Sequence, residues 1–195
     1  MFADFQLEEL CEKHGLVTPY DPARINPASV DLTLGREFVN RGQSPVVYEQ
    51  YSTRLVAMRG EKFTADAVFL DTDNFLLGAT AETVKIPDTR FYLSGSDSAH
   101  PACAASLCLK STPARHALNH SLAGWIDPGF EGQLTLELHC LAPVTLYAGE
   151  AYCQMIVYPT LATPRQSYRE TGRYVGEYAQ GAVLARESIP SNKQP

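Results

Sequence analysis

The sequence has no apolar run long enough to cross a bilayer and no excess of basic residues. Its formal net charge of −6 argues against a broad nucleic-acid-binding surface, although a small anionic substrate can still bind in a locally basic pocket. The five cysteines are odd in number, and their spacing is not that of a secreted disulfide framework. The N-terminal stretch carries acidic residues where a signal peptide needs basic ones. These absences predict a cytoplasmic protein with no membrane or nucleic-acid partner.

Signatures of two common hydrolase classes are also missing. No histidine is followed two residues later by glutamate, so the H-x-E half of the zinc-deaminase pattern is absent. His100, Cys103, Cys108 and His116 are close in sequence, but their spacing fits no paired metal-binding motif, and buried thiols with surface histidines are the favoured interpretation. A G-x-S-x-G nucleophile elbow does not occur either. The sequence therefore predicts neither zinc nor a serine-hydrolase triad.

What the sequence does contain is a series of short strands. Segments rich in β-branched or aromatic residues alternate with turns made by 13 prolines and 13 glycines, which predicts an all-β sandwich or distorted barrel. We expect one domain over residues 1–195, with an N-terminal helix over residues 1–15 that is capped by Asp4 and ends at Gly15. Residues 94–104 read as an exposed loop. Residues 164–195 read as a C-terminal arm whose last segment is disordered.

The segment "AGWIDPGFEGQLTLEL" carries the first candidate site. In its second half Leu134 and Leu136 alternate with Thr135 and Glu137, as expected of a strand with one buried face. Glu137 is then either a solvated residue on the polar face or a carboxylate that faces a pocket. Asp127 stands immediately before a Pro-Gly turn and is the second acidic candidate.

Two basic segments allow two interpretations each. In "LKSTPAR" a short helix around Pro113, capped by Ser111 or Thr112, would be either a solvated surface turn or a binding site for phosphate. In the arm, Arg165, Arg169 and Arg173 recur every four residues, which indicates either a solvated stripe or an arm that folds over a bound nucleotide. Spacing alone does not separate these alternatives.

Taken in order, the segments resemble the dCTP deaminase family, which shares a superfamily with trimeric dUTPases. "RINPASVDLTLG" is similar to an early strand of that family, and "KSTPAR" stands where the family has "RSSLAR". "HSLAGWIDPGFEGQLTLEL" is close to "HSTAGFIDPGFSGHITLEL", and the "GRY…QGAV" tail is like the family's "SKY…QG". The likeness runs from Arg24 to about Val183, and the central block is its most specific part.

The resemblance implies a dUTPase-like distorted β-barrel or jelly roll that forms a homotrimer with active sites between subunits. It also implies deamination of dCTP without zinc, with Glu137 taking a proton from a water that Ser111 and Arg115 hold. Mg²⁺ would accompany the triphosphate, with no metal ligand from the protein. The remaining implied contacts to the nucleotide are Lys110, Thr112, Ala123, Asp127, Tyr168, Arg173 and Gln180.

Several positions depart from the family pattern. Lys110 replaces an arginine, Leu122 replaces a threonine in the base pocket, and residues 94–104 look like an insertion. Gly124 gives the "AG[FW]ID" form, which resembles both bifunctional members, which continue to dUMP, and dUTPases, whereas some monofunctional members have histidine there. Three hypotheses therefore follow: a dCTP deaminase, which is bifunctional in one version; a dUTPase-like pyrophosphatase that uses Asp127; and a non-catalytic nucleotide-binding relative.

Overall fold

The structure is a computed structural model, and it describes residues 1–40, 60–120, 123–172, 174 and 180–181. Within these ranges the chain is built mainly of antiparallel strands, with one longer helix at the N-terminus. The helices are α1 (Asp4–His14), α2 (Ser111–Arg115) and α3 (Tyr168–Thr171), with a 3₁₀ turn at Pro22–Arg24. The strands are β1 (Val17–Thr18), β2 (Ile25–Asn26), β3 (Ser29–Asn40), β4 (Glu61–Thr64), β5 (Ala67–Leu70), β6 (Leu76–Lys85), β7 (Cys103–Leu109), β8 (Leu118–His120), β9 (Trp125–Ile126), β10 (Glu131–Cys140), β11 (Val144–Tyr147) and β12 (Ala151–Pro159).

The strands form one large curled sheet and a two-stranded ribbon. The main sheet runs in the order β8-β10-β6-β3-β12-β7-β9, with β1 added to β6 and with β2 and β4 added to β3. The ribbon pairs β11 with β5. Because β3 belongs to both halves of the curled sheet, it brings β10 and β6 on one side near β12 and β7 on the other. The predicted all-β, barrel-like fold with a short N-terminal helix is confirmed.

The hydrophobic core lies on the concave side of the curled sheet. Strand β10 contributes to it through apolar residues at every second position. Leu134, Leu136 and Leu138 are buried, while the residues between them are half-buried on the other face. The β10–β6 register shifts between Gln133 and Thr135. At this shift the Leu134 N–H donates to Thr80 Oγ1 at 3.0 Å, so a side chain accepts the bond that the ladder does not provide.

The predicted caps of both helices are wrong. Helix α1 has Ala3 as its N-cap, because Gln6 Oε1 accepts a hydrogen bond from the Ala3 N–H at 3.1 Å and Asp4 becomes the first helical residue. Helix α2 has Lys110 as its N-cap, so Ser111 and Thr112 lie inside the helix. Gly15 ends α1 in the left-handed conformation, as predicted.

The predicted exposed loop is also too long at its C-terminal end. Ala102, Cys103 and Ala104 are buried, because β7 begins at Cys103 and faces the core there. The arm is described only for residues 164–172, 174 and 180–181, so the predicted disordered end lies outside the described residues.

Candidate functional site

Glu137 lies on the face of β10 that points away from the main core. Its neighbour directly across the ladder is Leu77 of β6, which forms a small second apolar cluster with Val39 and Ala79. Glu137 is half-buried, and its carboxylate has no hydrogen-bond or ion-pair partner among the described residues. The sequence alternatives were a solvated carboxylate or a pocket carboxylate. The structure gives a partly sheltered carboxylate beside apolar side chains.

A polar cluster sits where β3, β12 and β7 run side by side. Lys110 Nζ forms an ion pair with Asp31 Oδ2, and Asn26 Nδ2 donates to Asp31 Oδ1 at 2.8 Å. Gln154 stands opposite Asp31 in the ladder and accepts a hydrogen bond from Ser29 Oγ at 3.3 Å. We call Asn26, Ser29, Asp31, Lys110 and Gln154 the Asp31 cluster.

Sequence reasoning identified only Lys110 of this cluster. Asp31 and Ser29 lie in the quoted "INPASVDL" segment, where their polar character among apolar strand residues was the available signal. Gln154 occupies a polar position between the buried Cys153 and Met155 of β12. The cluster was missed because its members meet only through tertiary pairing: Lys110 and Asp31 are 79 residues apart in the chain.

Helix α2 follows the cluster directly and points polar side chains outward. Ser111, Thr112 and Arg115 are exposed, and none of the three side chains has a hydrogen-bond or ion-pair partner within the described ranges. Thr112 lines a cavity of about 300 Å³ together with Lys110 and Tyr152. This volume is at the lower end of the range typical of small-molecule sites. The segment thus presents two hydroxyls and a guanidinium that no described residue engages.

The Asp127 turn is the second acidic element, and its geometry is well defined. Trp125 Nε1 donates a hydrogen bond to Asp127 Oδ1 at 3.0 Å, and the indole stacks on Tyr158 with ring centroids 6.5 Å apart. Gly129 continues the turn with a φ of +90°, which favours glycine. Asp127 itself is exposed, so its carboxylate is oriented by the indole but remains accessible.

Gly124 precedes this turn and allows two strands to approach closely. The Leu107 N–H donates to the Gly124 carbonyl at 2.7 Å, and a Cβ built on Gly124 would lie 2.4 Å from the Leu107 carbonyl oxygen. A side chain at this position would therefore push β7 and the start of β9 apart. The preceding residue, Ala123, is exposed.

The arm residues are placed only in part. Tyr168 packs against Phe130, with ring centroids 5.9 Å apart. Gln180 is exposed, and the adjacent Gly181 N–H donates to Gln133 Oε1 at 2.7 Å, on the same face of β10 as Glu137. Arg173 lies outside the described residues.

These observations do not join all predicted site residues in one place. Lys110 and Thr112 share one cavity, Asp127 is held by Trp125, and the arm returns to the polar face of β10 at Gly181. No described contact connects Glu137 with Ser111 or Arg115 within the parts of the chain that are placed. Their meeting at one site stays a prediction.

The cysteines and histidines near β7 have ordinary structural environments. All five cysteines are unpaired, and burial raises the pKa of the Cys103 thiol to about 12. The His100 ring packs on Phe2 and Phe91, and its Nε2 lies 3.1 Å from Ser96 Oγ. In the described ranges, no group of three or more His, Cys, Asp or Glu side chains is arranged to hold a metal ion. Across those ranges, no helix has the length and apolarity that a membrane span requires.

Comparison with known proteins gives the family. Residues 2–160 match the family model described as dCTP deaminase-like. The chain belongs to the dCTP deaminase-like family. The Methanoculleus marisnigri protein named "dCTP deaminase, dUMP-forming" is 31% identical over 191 residues, which cover 95% of this chain and 94% of that protein. A protein of the same name from Acidothermus cellulolyticus is 33% identical over 181 residues, covering 87% and 86%.

A solved structure supports the same fold. The 2'-deoxycytidine 5'-triphosphate deaminase from Agrobacterium tumefaciens superposes with a TM-score of 0.59 at 18% identity. The match covers 82% of this family member and 48% of the Agrobacterium chain, so the present chain spans about half of that protein's length. At this identity the likeness concerns the fold alone.

Proposed function

We propose that the chain deaminates dCTP hydrolytically without a protein-bound metal, and that it continues to dUMP. The observation that carries the proposal is the Glu137 carboxylate, which is half-buried beside Leu77 and has no partner among the described residues. Membership of the dCTP deaminase-like family supports the reaction. Relatives named dUMP-forming support the second product, and so does Gly124, whose close contact with Leu107 leaves no room for a histidine.

In the proposed reaction, water replaces the amino group at C4 of the cytosine ring. Glu137 takes a proton from the attacking water, whose oxygen bonds to C4, and passes this proton to N3. Glu137 then takes the remaining proton of the new C4 hydroxyl and passes it to the leaving nitrogen as the C4 carbonyl forms. The C4–N4 bond breaks, and one ammonia and one deoxyuridine nucleotide result. Ser111 and Arg115 would hold the water and steady the carboxylate, a role that suits a hydroxyl and a guanidinium with no described partner.

The remaining predicted residues would hold the nucleotide. Lys110 and Thr112, which line one cavity beside the Asp31 cluster, would meet the phosphates. Asp127 would contact the deoxyribose, and backbone groups around Ala123 would meet the cytosine edge. From the arm, Tyr168, Arg173 and Gln180 would complete the enclosure.

Magnesium is proposed only as the companion of the triphosphate. Both oxygens of Asp31 are engaged, one by Lys110 and the other by Asn26, so this carboxylate is not an open metal ligand. The ion would therefore be held by phosphate oxygens and water, and it would screen the charge of the triphosphate.

The proposed assembly is a homotrimer with active sites between subunits. Ser111 and Arg115 are exposed and unengaged in one chain, and Glu137 is not joined to them by any described contact. A neighbouring copy that closes over these groups would complete a site that one chain leaves open. The unpaired state of all five thiols supports the proposed cytoplasmic location, because the cytosol keeps thiols reduced.

A dUTPase-like pyrophosphatase without deaminase activity is the second candidate, and the Asp127 geometry favours it. The Trp125 indole orients a carboxylate that remains accessible, as activation of an attacking water requires. A non-catalytic nucleotide-binding protein is the third candidate.

One assay separates the three candidates. The purified chain is incubated with Mg²⁺ and a panel of deoxycytidine and deoxyuridine nucleotides, while ammonia and pyrophosphate are measured separately. Ammonia from dCTP is expected, with pyrophosphate as well if dUMP is the end product. Pyrophosphate from dUTP without ammonia from dCTP would select the pyrophosphatase. Calorimetric binding without turnover would select the non-catalytic protein.

A further inference from the structure

The start of the C-terminal arm is bound to the back of the Asp127 turn by several independent contacts. Ser167 Oγ donates to Asp88 Oδ2 at 2.5 Å, and Ser167 Oγ also accepts a hydrogen bond from the Arg169 N–H at 3.2 Å. Ser167 therefore caps α3 and ties it to the segment that follows β6. A hydroxyl that donates to a carboxylate forms one of the stronger hydrogen bonds in proteins.

The turn itself supplies the other half of the attachment. The Tyr168 N–H donates to the Pro128 carbonyl at 2.9 Å, and the Tyr168 ring packs on Phe130. A Cβ on Gly129 would lie 2.0 Å from Ser167 Oγ and 3.0 Å from Asp88 Oδ2. The Pro-Gly pair thus makes the turn and also leaves space for the arm to sit against it.

Arg169 adds charge contacts on the outer side. Its Nε lies 3.8 Å from Asp88 Oδ2, and its terminal nitrogen lies 3.7 Å from Glu131 Oε2. Both distances are near the limit of an ion pair, and the Arg169 side chain is half exposed. These contacts therefore help to orient α3 but contribute little to its stability. The stronger part of the attachment is the Ser167–Asp88 bond.

We propose that Asp88 and Ser167 are positioning residues for nucleotide binding: they hold the start of the arm, with Tyr168, against the turn that carries Asp127. This inference rests on the proposed function, in which Asp127 and the arm contact the same nucleotide. The anchor holds Tyr168 beside the turn before a nucleotide binds. Binding then has less conformational freedom to remove at this position.

The test compares Ser167→Ala with Ser167→Thr, which keeps the hydroxyl, and with Ser94→Ala as a matched control. Ser94 Oγ also donates to a carboxylate, that of Glu9 at 2.9 Å, but lies outside the arm. Trypsin cleavage after Arg169, followed by mass spectrometry, reports opening of the anchor without requiring activity. Loss of a hydrogen bond to a charged group predicts roughly tenfold faster cleavage in Ser167→Ala. Ser167→Thr and Ser94→Ala should remain near wild type.

The second part of the test measures KM and kcat for dCTP. Ser167→Ala should raise KM several-fold and change kcat less than twofold, because the anchor acts on binding and not on the reacting atoms. Equal cleavage rates in Ser167→Ala and wild type would overturn the anchor. Faster cleavage with an unchanged KM would overturn the positioning role.

The two proposals fail in different ways. If the wild-type chain binds nucleotides without turnover, the dissociation constant replaces KM and decides the positioning role. If it binds none of the nucleotides, the proposed function and the positioning role both fall. The proteolysis result would then still decide whether the anchor exists.

Discussion

The Asp127 turn and helix α2 differ in how much of their surroundings one chain supplies. The turn is held by the Trp125 indole on one side and by the anchored arm on the other. Helix α2 leaves Ser111 and Arg115 exposed and without described partners. In the proposed site, the Asp127 half would therefore have partners within one chain, whereas Ser111 and Arg115 would find theirs in a ligand or a second copy.

A substitution in helix α2 should lower activity strongly and leave the stability of the chain unchanged. Ser111→Ala should lower the rate of ammonia release on the order of a hundredfold, because it removes the hydroxyl that is proposed to hold the reacting water. The melting temperature should not change, since no described contact of the Ser111 side chain is lost. Ammonia assays and calorimetric melting check both parts. A clear fall in the melting temperature of Ser111→Ala would show that this side chain also stabilises the folded chain, and α2 would then not differ from the turn in this respect.

At the turn, by contrast, a small change should cost stability. Gly129→Ala introduces a side chain at a φ of +90°, where it meets Ser167, whereas Gly95→Ala has a similar φ of +77° and nothing within 4 Å. Both variants should lose about 1–2 kcal/mol from backbone strain, and Gly129→Ala should lose more. Chemical denaturation of both variants measures the difference. Equal losses of unfolding free energy in the two variants would mean that Ser167 does not crowd a side chain at position 129.

A smaller, pH-dependent effect is expected at the edge of the sheet. His120 in β8 is buried, and its ring nitrogens have no partner among the described residues. Burial lowers the pKa of His120 below its ordinary value of 6.5, and the neighbouring His139 lowers it further. The unfolded chain therefore binds a proton at higher pH than the folded chain. Stability should be unaffected well above pH 6.5 and should fall as the pH drops below it.

Melting temperatures between neutral and mildly acidic pH check this prediction. In His120→Gln, the melting temperature should fall less steeply as the pH is lowered. His116→Gln, which changes an exposed histidine, should leave this decline as in the wild type. An equally steep decline in His120→Gln would show that another group controls the acid response.

The fold was predictable because hydrophobic alternation is a local property of strands. Leu134, Leu136 and Leu138 alternate with polar residues in the sequence, and the structure buries them as expected. Strand lengths were harder to predict, since β3 and β6 extend over 12 and 10 residues, longer than the short strands that the sequence predicts. Contacts between distant residues, such as the hydrogen bond from the Leu134 N–H to the Thr80 side chain of β6, are not visible in the local pattern.

The candidate site was predictable only through short motifs. "KSTPAR" and "AGWIDPGFEG" made Lys110, Ser111 and Asp127 candidates, and their roles stay a prediction, but no motif pointed to Asp31, the carboxylate that pairs with Lys110. The same limit applies to Asp88 and Ser167, which are 79 residues apart and share one hydrogen bond. Such pairs follow from topology, which local patterns do not encode.

The proposed deamination depends on Glu137 as the base that leads to the release of ammonia. The most direct test compares ammonia release from dCTP by wild type, Glu137→Gln and Glu61→Gln, which removes an equal charge from the exposed strand β4. Loss of a general base predicts a decrease of about 10²- to 10⁴-fold in Glu137→Gln, with an unchanged melting temperature and Glu61→Gln near wild type. Ammonia release by Glu137→Gln close to the wild-type rate would show that Glu137 is not the base.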